Sequence, residues 1–157
     1  LCMIADSLIV PECIFRPGSF TGLMTLYESN YLKLQKLLGD DFDGLKDGVS
    51  LTERDCDLHL NVLKRDRYTT TFRLTYWFDS APEGDSEQAQ IADPDLTLKA
   101  CHDARLLEAV SLAPFHRHHK LRELAQYHVA ELDRRWQRTM MLNKWLDYLL
   151  DSGHRFT

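Results

Sequence analysis

The run Tyr68-Thr-Thr-Thr-Phe-Arg-Leu-Thr-Tyr-Trp-Phe78 alternates without a break between two sets of side chains. Successive side chains of a strand point to opposite faces of a sheet. Tyr68, Thr70, Phe72, Leu74, Tyr76 and Phe78 therefore share one side, and Thr69, Thr71, Arg73, Thr75 and Trp77 share the other. The first set is apolar and needs a cover. The second is rich in hydroxyls and carries one cation and one indole, which suits a face turned to water.

Three further segments keep the same period. Leu58, Leu60 and Val62 alternate with Asp57, His59 and Asn61, and Lys64-Arg65-Asp66-Arg67 turns that segment back onto the Tyr68 run as an antiparallel neighbour. Leu96, Leu98 and Ala100 alternate with Thr97, Lys99 and Cys101, and after His102-Asp103 the run Leu106 to Leu112 closes a second hairpin, stopped by Pro114. Val49 to Glu53 reads as a short edge strand, and the Pro-, Gly- and acid-rich stretch from Asp79 to Pro94 as a loop with little to bury. Helical spacing flanks this sheet. Phe20, Leu23, Met24, Tyr27, Tyr31, Leu34 and Leu38 recur at steps of three and four, with Ser19 as a cap and Gly39 as a stop. Leu121, Leu124, Ala125, Val129, Leu132, Trp136, Met140, Leu146 and Leu150 form a second apolar stripe up to Gly153, read as two helices with a bend near residue 131. The expected fold is α+β: an antiparallel sheet of four to five strands with an N-terminal helix and C-terminal helices on one face. Residues 1–16 form an extension, and residues 17–157 one domain.

The 157 residues suffice for a single buried core, and the net charge of −5 argues against indiscriminate binding to nucleic acid, which depends on neutralising phosphates. The acidic excess lies in the first hundred residues, leaving room for a local basic face in the C-terminal part, with Arg117, Lys120, Arg122, Arg134, Arg135 and Arg138. No apolar stretch approaches the ~20 residues that cross a bilayer. The apolar opening Leu1 to Pro11 has no basic leader and contains Asp6, which favours a cytoplasmic protein without a membrane partner. Cys2, Cys13, Cys56 and Cys101 lack the spacing of a zinc knuckle or redox pair and read as free thiols.

Several stretches together resemble the YqiB-like family of uncharacterised bacterial proteins, domain-of-unknown-function family 1249. They are Met24-Thr-Leu-Tyr-Glu28-Ser-Asn30-Tyr31-Leu-Lys-Leu34, Tyr68-Thr69-Thr70, His102-Asp103-Ala104-Arg105 leading to Glu108, Trp145-Leu146, and Gly153-His154. The resemblance spans about residues 17 to 155 and implies a bacterial setting, with no assigned activity. The family's His-Gln-x-Asp-Glu-Lys box corresponds here to Ala130-Glu131-Leu132-Asp133-Arg134-Arg135, which keeps the aspartate and a basic residue.

Phosphate loops, dinucleotide fingerprints, nucleophile elbows and paired cysteine ligands are all missing, and no cofactor is expected. The residues favour a binding module over an enzyme. His59, Arg73, Trp77 and Lys99 meet on the polar sheet face if the strands pair as read, bordered by Arg105 in the turn. Cations interleaved with an aromatic suit a small anionic ligand or an acidic protein segment. A competing reading is a small hydrolase built on His102, with Asp103 or Glu108 orienting it, and with or without metal. A third is a structural homo-oligomer, such as a homodimer, built on the Val49 edge strand or the outer helix faces. His116, His118, His119 and His128 offer four imidazoles in thirteen residues but no companion ligand at a familiar zinc spacing, and they read as a solvated loop. The acidic loop from Asp40 lacks the register of a calcium site.

Overall fold

Five strands hydrogen-bond in chain order, each antiparallel to the next: β1 Gly48–Ser50, β2 Leu58–Arg65, β3 Thr69–Asp79, β4 Gln90–Cys101 and β5 Leu106–Ser111. Among the described residues of this computed structural model lie three helices, α1 Phe20–Leu38, α2 His119–Gln126 and α3 Arg134–Asp151. The structure describes residues 20–39, 44–79, 90–113, 116–126 and 134–156. Ser19, Asp133, His128, the acidic loop at 40–43 and the expected bend near 131 lie outside the described residues. The α+β architecture and the antiparallel meander match the sequence pattern.

The alternation of β3 sorts its side chains as read. Phe72, Leu74 and Tyr76 are sealed, and Leu58, Leu60, Leu96, Leu98, Leu107 and Ala109 join them from neighbouring strands. Leu34, Leu37 and Leu38 of α1, Leu121 of α2 and Leu142, Trp145, Leu146 and Leu149 of α3 cover this face. Burying each such side chain contributes roughly 1.5–3 kcal/mol, so the covered face dominates the stability. Between α1 and α3 the contact is also polar. Lys33, almost sealed, donates to Asn143 at 3.0 Å and to Asp147 at 2.9 Å, and Asn143 donates to Asn30 at 2.8 Å. Burial pushes the Asp147 carboxyl above its ordinary range, against the downward pull of Lys33.

Helix stops follow the glycines. Gly39 takes φ 79° and donates to Gln35 O, closing α1. Gly153 takes φ 89°, its N–H bonds Leu150 O, and the next N–H, of His154, bonds Leu149 O. That pair of bonds is a Schellman turn, which favours a residue without Cβ at its left-handed position. It turns the chain back over the sheet, where Phe156 N–H bonds Leu37 O at 3.0 Å and the Phe156 ring packs on Gly48.

β4 begins earlier than the sequence suggests. Gln90 to Asp93 pair with Asp79 to Tyr76, so Asp79 and Gln90 to Pro94, read from the sequence as loop, belong to the strands. The register shifts between Leu74 and Tyr76, and this irregularity accommodates Pro94, which lacks a donor for the ladder. Asp95 there adopts φ 51°. Its N–H donates to Thr75 Oγ1 at 3.1 Å. Thr75 is thereby sealed, although it lies on the face expected to be wet.

Candidate functional site

On the open face, directly opposed residues share a side of the sheet. Val49, His59 and Thr75 form one cross-strand row, Asn61, Arg73, Thr97 and Ser111 the next, and Lys64, Thr71, Lys99 and Glu108 a third. The predicted group His59, Arg73, Trp77 and Lys99 therefore does share one face. Its charges are not equally available. Arg73 pairs with Asp95 at 2.5 Å and lies 4.8 Å over the Trp77 ring, so this cation and indole are engaged with each other and with β4. Lys99 is exposed, opposite Glu108. At the same end of the sheet Arg67 lies 5.1 Å over the exposed Tyr68 ring, and His102 N–H bonds Tyr68 O, which joins the two hairpin turns side by side. Arg105, exposed, adopts φ 56° in the second turn.

The residues of the hydrolase reading do not converge. His102 faces the helices, with Nδ1 3.3 Å from Tyr31 Oη and Nε2 2.8 Å from Thr70 Oγ1. Glu108 sits on the opposite side of the sheet beside Lys99, and Asp103 is exposed in the turn.

A second constellation, which the sequence did not announce, gathers at the other end of the sheet around Asp55. Its side chain, in the turn between β1 and β2, is 1% exposed. His118 Nε2 lies 2.7 Å and Tyr148 Oη 3.2 Å from Oδ1; Tyr76 Oη lies 2.5 Å and His154 Nε2 3.0 Å from Oδ2. Burial pushes this carboxyl upward, but the bonds from His118, His154 and Tyr76 and the Cys56 N–H outweigh it and hold the group far below the usual carboxylate range. Tyr76 is pushed well above the usual phenol range by its burial, reinforced by bonding to Asp55 and by its charge. The His118 ring stacks on Tyr76 at 4.6 Å and on His119 at 4.7 Å. The reading of His116 to His119 as a solvated loop is thus corrected. His118 is buried because a buried carboxylate and an aromatic ring receive it, whereas His119 stays exposed.

Proton positions decide what this centre can do. Lys120 N–H donates to His118 Nδ1 at 3.0 Å, which leaves the His118 proton on Nε2, directed at Asp55. Asp55, Cys56 and His118 hold three ligand atoms within 4.8 Å of one another, a spacing suited to a metal ion. A metal-bound imidazole, however, needs a bare nitrogen towards the ion and a proton on the other. His118 is arranged the opposite way round, so the set does not fit a metal. The Cys56 thiol is pushed up by burial and by the charges of Asp55 and Asp57, which disfavours the thiolate.

Ser50, His154 and Asp55 form a hydroxyl–imidazole–carboxylate series: Ser50 Oγ lies 3.0 Å from His154 Nδ1, and Arg155 N–H donates to the same oxygen at 2.9 Å. The order is that of a nucleophile, base and orienting acid. Ser50 is 2% and His154 1% exposed, and the residues that hide Ser50 include the one that would act as its base. Uncovering the hydroxyl by moving that segment would dismantle the series. The Asp55 centre is accordingly a structural tie between the 51–57 turn, β3, the start of α2, α3 and the chain after it.

The profile of a family described as Protein of unknown function (DUF1249) matches residues 33–155. No curated protein and no solved structure matches the chain. The chain belongs to the DUF1249 family, the one that its sequence motifs resemble.

Proposed function

We propose, with that membership as premise, that the protein is a bacterial cytoplasmic binding module whose open sheet face takes up an anionic ligand or an acidic protein segment. The observation that carries this reading is the row Lys64–Thr71–Lys99, two exposed lysines flanking a hydroxyl, beside the turns that present Arg67 and Arg105. In a chain of net charge −5 this corner gathers Lys64, Arg67, Lys99 and Arg105 beside Asp66, Asp103 and Glu108, with Lys64 3.6 Å from the Asp66 carboxylate and Lys99 opposite Glu108. Such a local excess of positive charge steers anions even when the whole molecule repels them. Arg73 and Trp77, the centre of the reading from sequence, become its border, because Asp95 already balances the guanidinium. Among the described residues, no helix is long and apolar enough to cross a membrane.

Titration of isotopically labelled protein with a hexaglutamate peptide and, separately, with inorganic pyrophosphate tests the reading. Backbone resonances of Thr71, Lys99 and Arg105 are expected to shift with one probe or both, and Lys64→Glu/Lys99→Glu is expected to abolish the response. Silence of these resonances with both probes would refute it. A response to the peptide alone identifies an acidic segment as the ligand class; a response to pyrophosphate alone identifies a small anion.

A further inference from the structure

Among the described histidines, His102, His118 and His154 have both ring nitrogens engaged. His116 differs. Its Nδ1 lies 2.7 Å from Asp93 Oδ1, while Asp93 Oδ2 accepts the N–H groups of Arg117 at 2.5 Å and His118 at 2.9 Å. The carboxylate is 1% exposed and cannot turn away without losing those donors. The neutral His116 ring consequently carries its proton on Nδ1, and the lone pair stands on Nε2. That nitrogen has no hydrogen-bond partner among the described residues, although the side chain as a whole is 6% exposed. Every buried side-chain nitrogen or oxygen among the described residues does have a partner, so Nε2 must reach the surface.

We infer that His116 is a pre-oriented imidazole, held by Asp93 so that its Nε2 accepts a proton or hydrogen bond from the O–H or N–H group of a ligand, whereas the rings of His59 and His119 have no such carboxylate behind them among the described residues. A buried carboxylate behind one ring nitrogen and a bare nitrogen in front is the arrangement by which an imidazole is oriented for proton transfer. The packing of the ring also lowers the entropy lost when a ligand engages it. The site is separate from the lysine row. Asp93 pairs with Tyr76, whereas the hairpin turns lie beyond Thr69 and Cys101, at the far end of the same strands.

The native protein can be treated with limiting diethyl pyrocarbonate and the modified histidines mapped by peptide mass spectrometry. A bare imidazole nitrogen attacks the reagent's carbonyl, takes the ethoxycarbonyl group and releases ethyl carbonate. His118 and His154 react only through local opening, so His116 is expected to be modified at least about tenfold faster than either. An equal or slower rate would overturn the inference. Asp93→Asn, if its circular dichroism matches the parent, is expected to slow modification of His116, and an unchanged rate would overturn the role given to Asp93. If that variant does not fold, long-range proton–nitrogen spectra of the parent protein decide. A proton on His116 Nδ1 supports the inference, and a proton on Nε2 refutes it.

Discussion

Asp55 shows how far one side chain can organise a fold that its own segment does not predict. Removing its charge leaves the four side-chain donors and the Cys56 N–H with one amide oxygen to share, and aims an NH2 group at some of them. A buried donor without a partner costs about 1–3 kcal/mol, so Asp55→Asn is expected to lower unfolding stability by roughly 3–5 kcal/mol in urea titrations at neutral pH. The pH dependence follows from the direction of its shift. The folded carboxyl lies below its unfolded value of about 4, so its stabilisation is complete above that pH and is lost as the pH falls below it towards the folded value. Midpoints measured from neutral pH downward should drop more steeply below about pH 4 for the parent than for Asp55→Asn. Parallel curves would show that the carboxylate's bonds do not depend on its ionisation.

At the level of elements, what was legible from the chain is what is local. The period of two in β3 and the three-and-four spacing of α1 are properties of consecutive residues, and both gave the right element on the right face. The beginning of β4 is not legible in the sequence because Asp93-Pro94-Asp95 breaks the alternation, and only tertiary pairing with β3 makes it a strand. The Asp55 centre was missed for a related reason. Its members lie 63 and 99 positions away, and Glu53-Arg54-Asp55-Cys56-Asp57 looks like any solvated turn. Gly153-His154 stands out in the sequence as a motif, and its purpose lies in the Schellman turn at the end of α3, which aims the imidazole at Asp55. Gly153→Ala should therefore cost about 1–2 kcal/mol from the left-handed strain alone. Calorimetry of the two proteins measures this, and an unchanged melting temperature would show that the turn relaxes without penalty.

Across the whole molecule, the sheet separates two kinds of chemistry. Helices seal one side, and among the described residues none covers the other, whose corner of lysines and arginines stands out from a net negative chain. If recognition occurs there, affinity for the hexaglutamate peptide should fall several-fold between low salt and about 0.15 M, where the screening length is about 8 Å. Fluorescence anisotropy of a labelled peptide measures the trend, and salt-independent binding would locate the contact elsewhere. The distance along the chain between Asp55 and His154 has a consequence for biosynthesis. During translation the turn emerges 99 residues ahead of the imidazole that completes its shell. Until α3 and the chain after it have emerged, Asp55 lacks Tyr148 and His154, and the apolar sheet face lacks Trp145, Leu146 and Leu149.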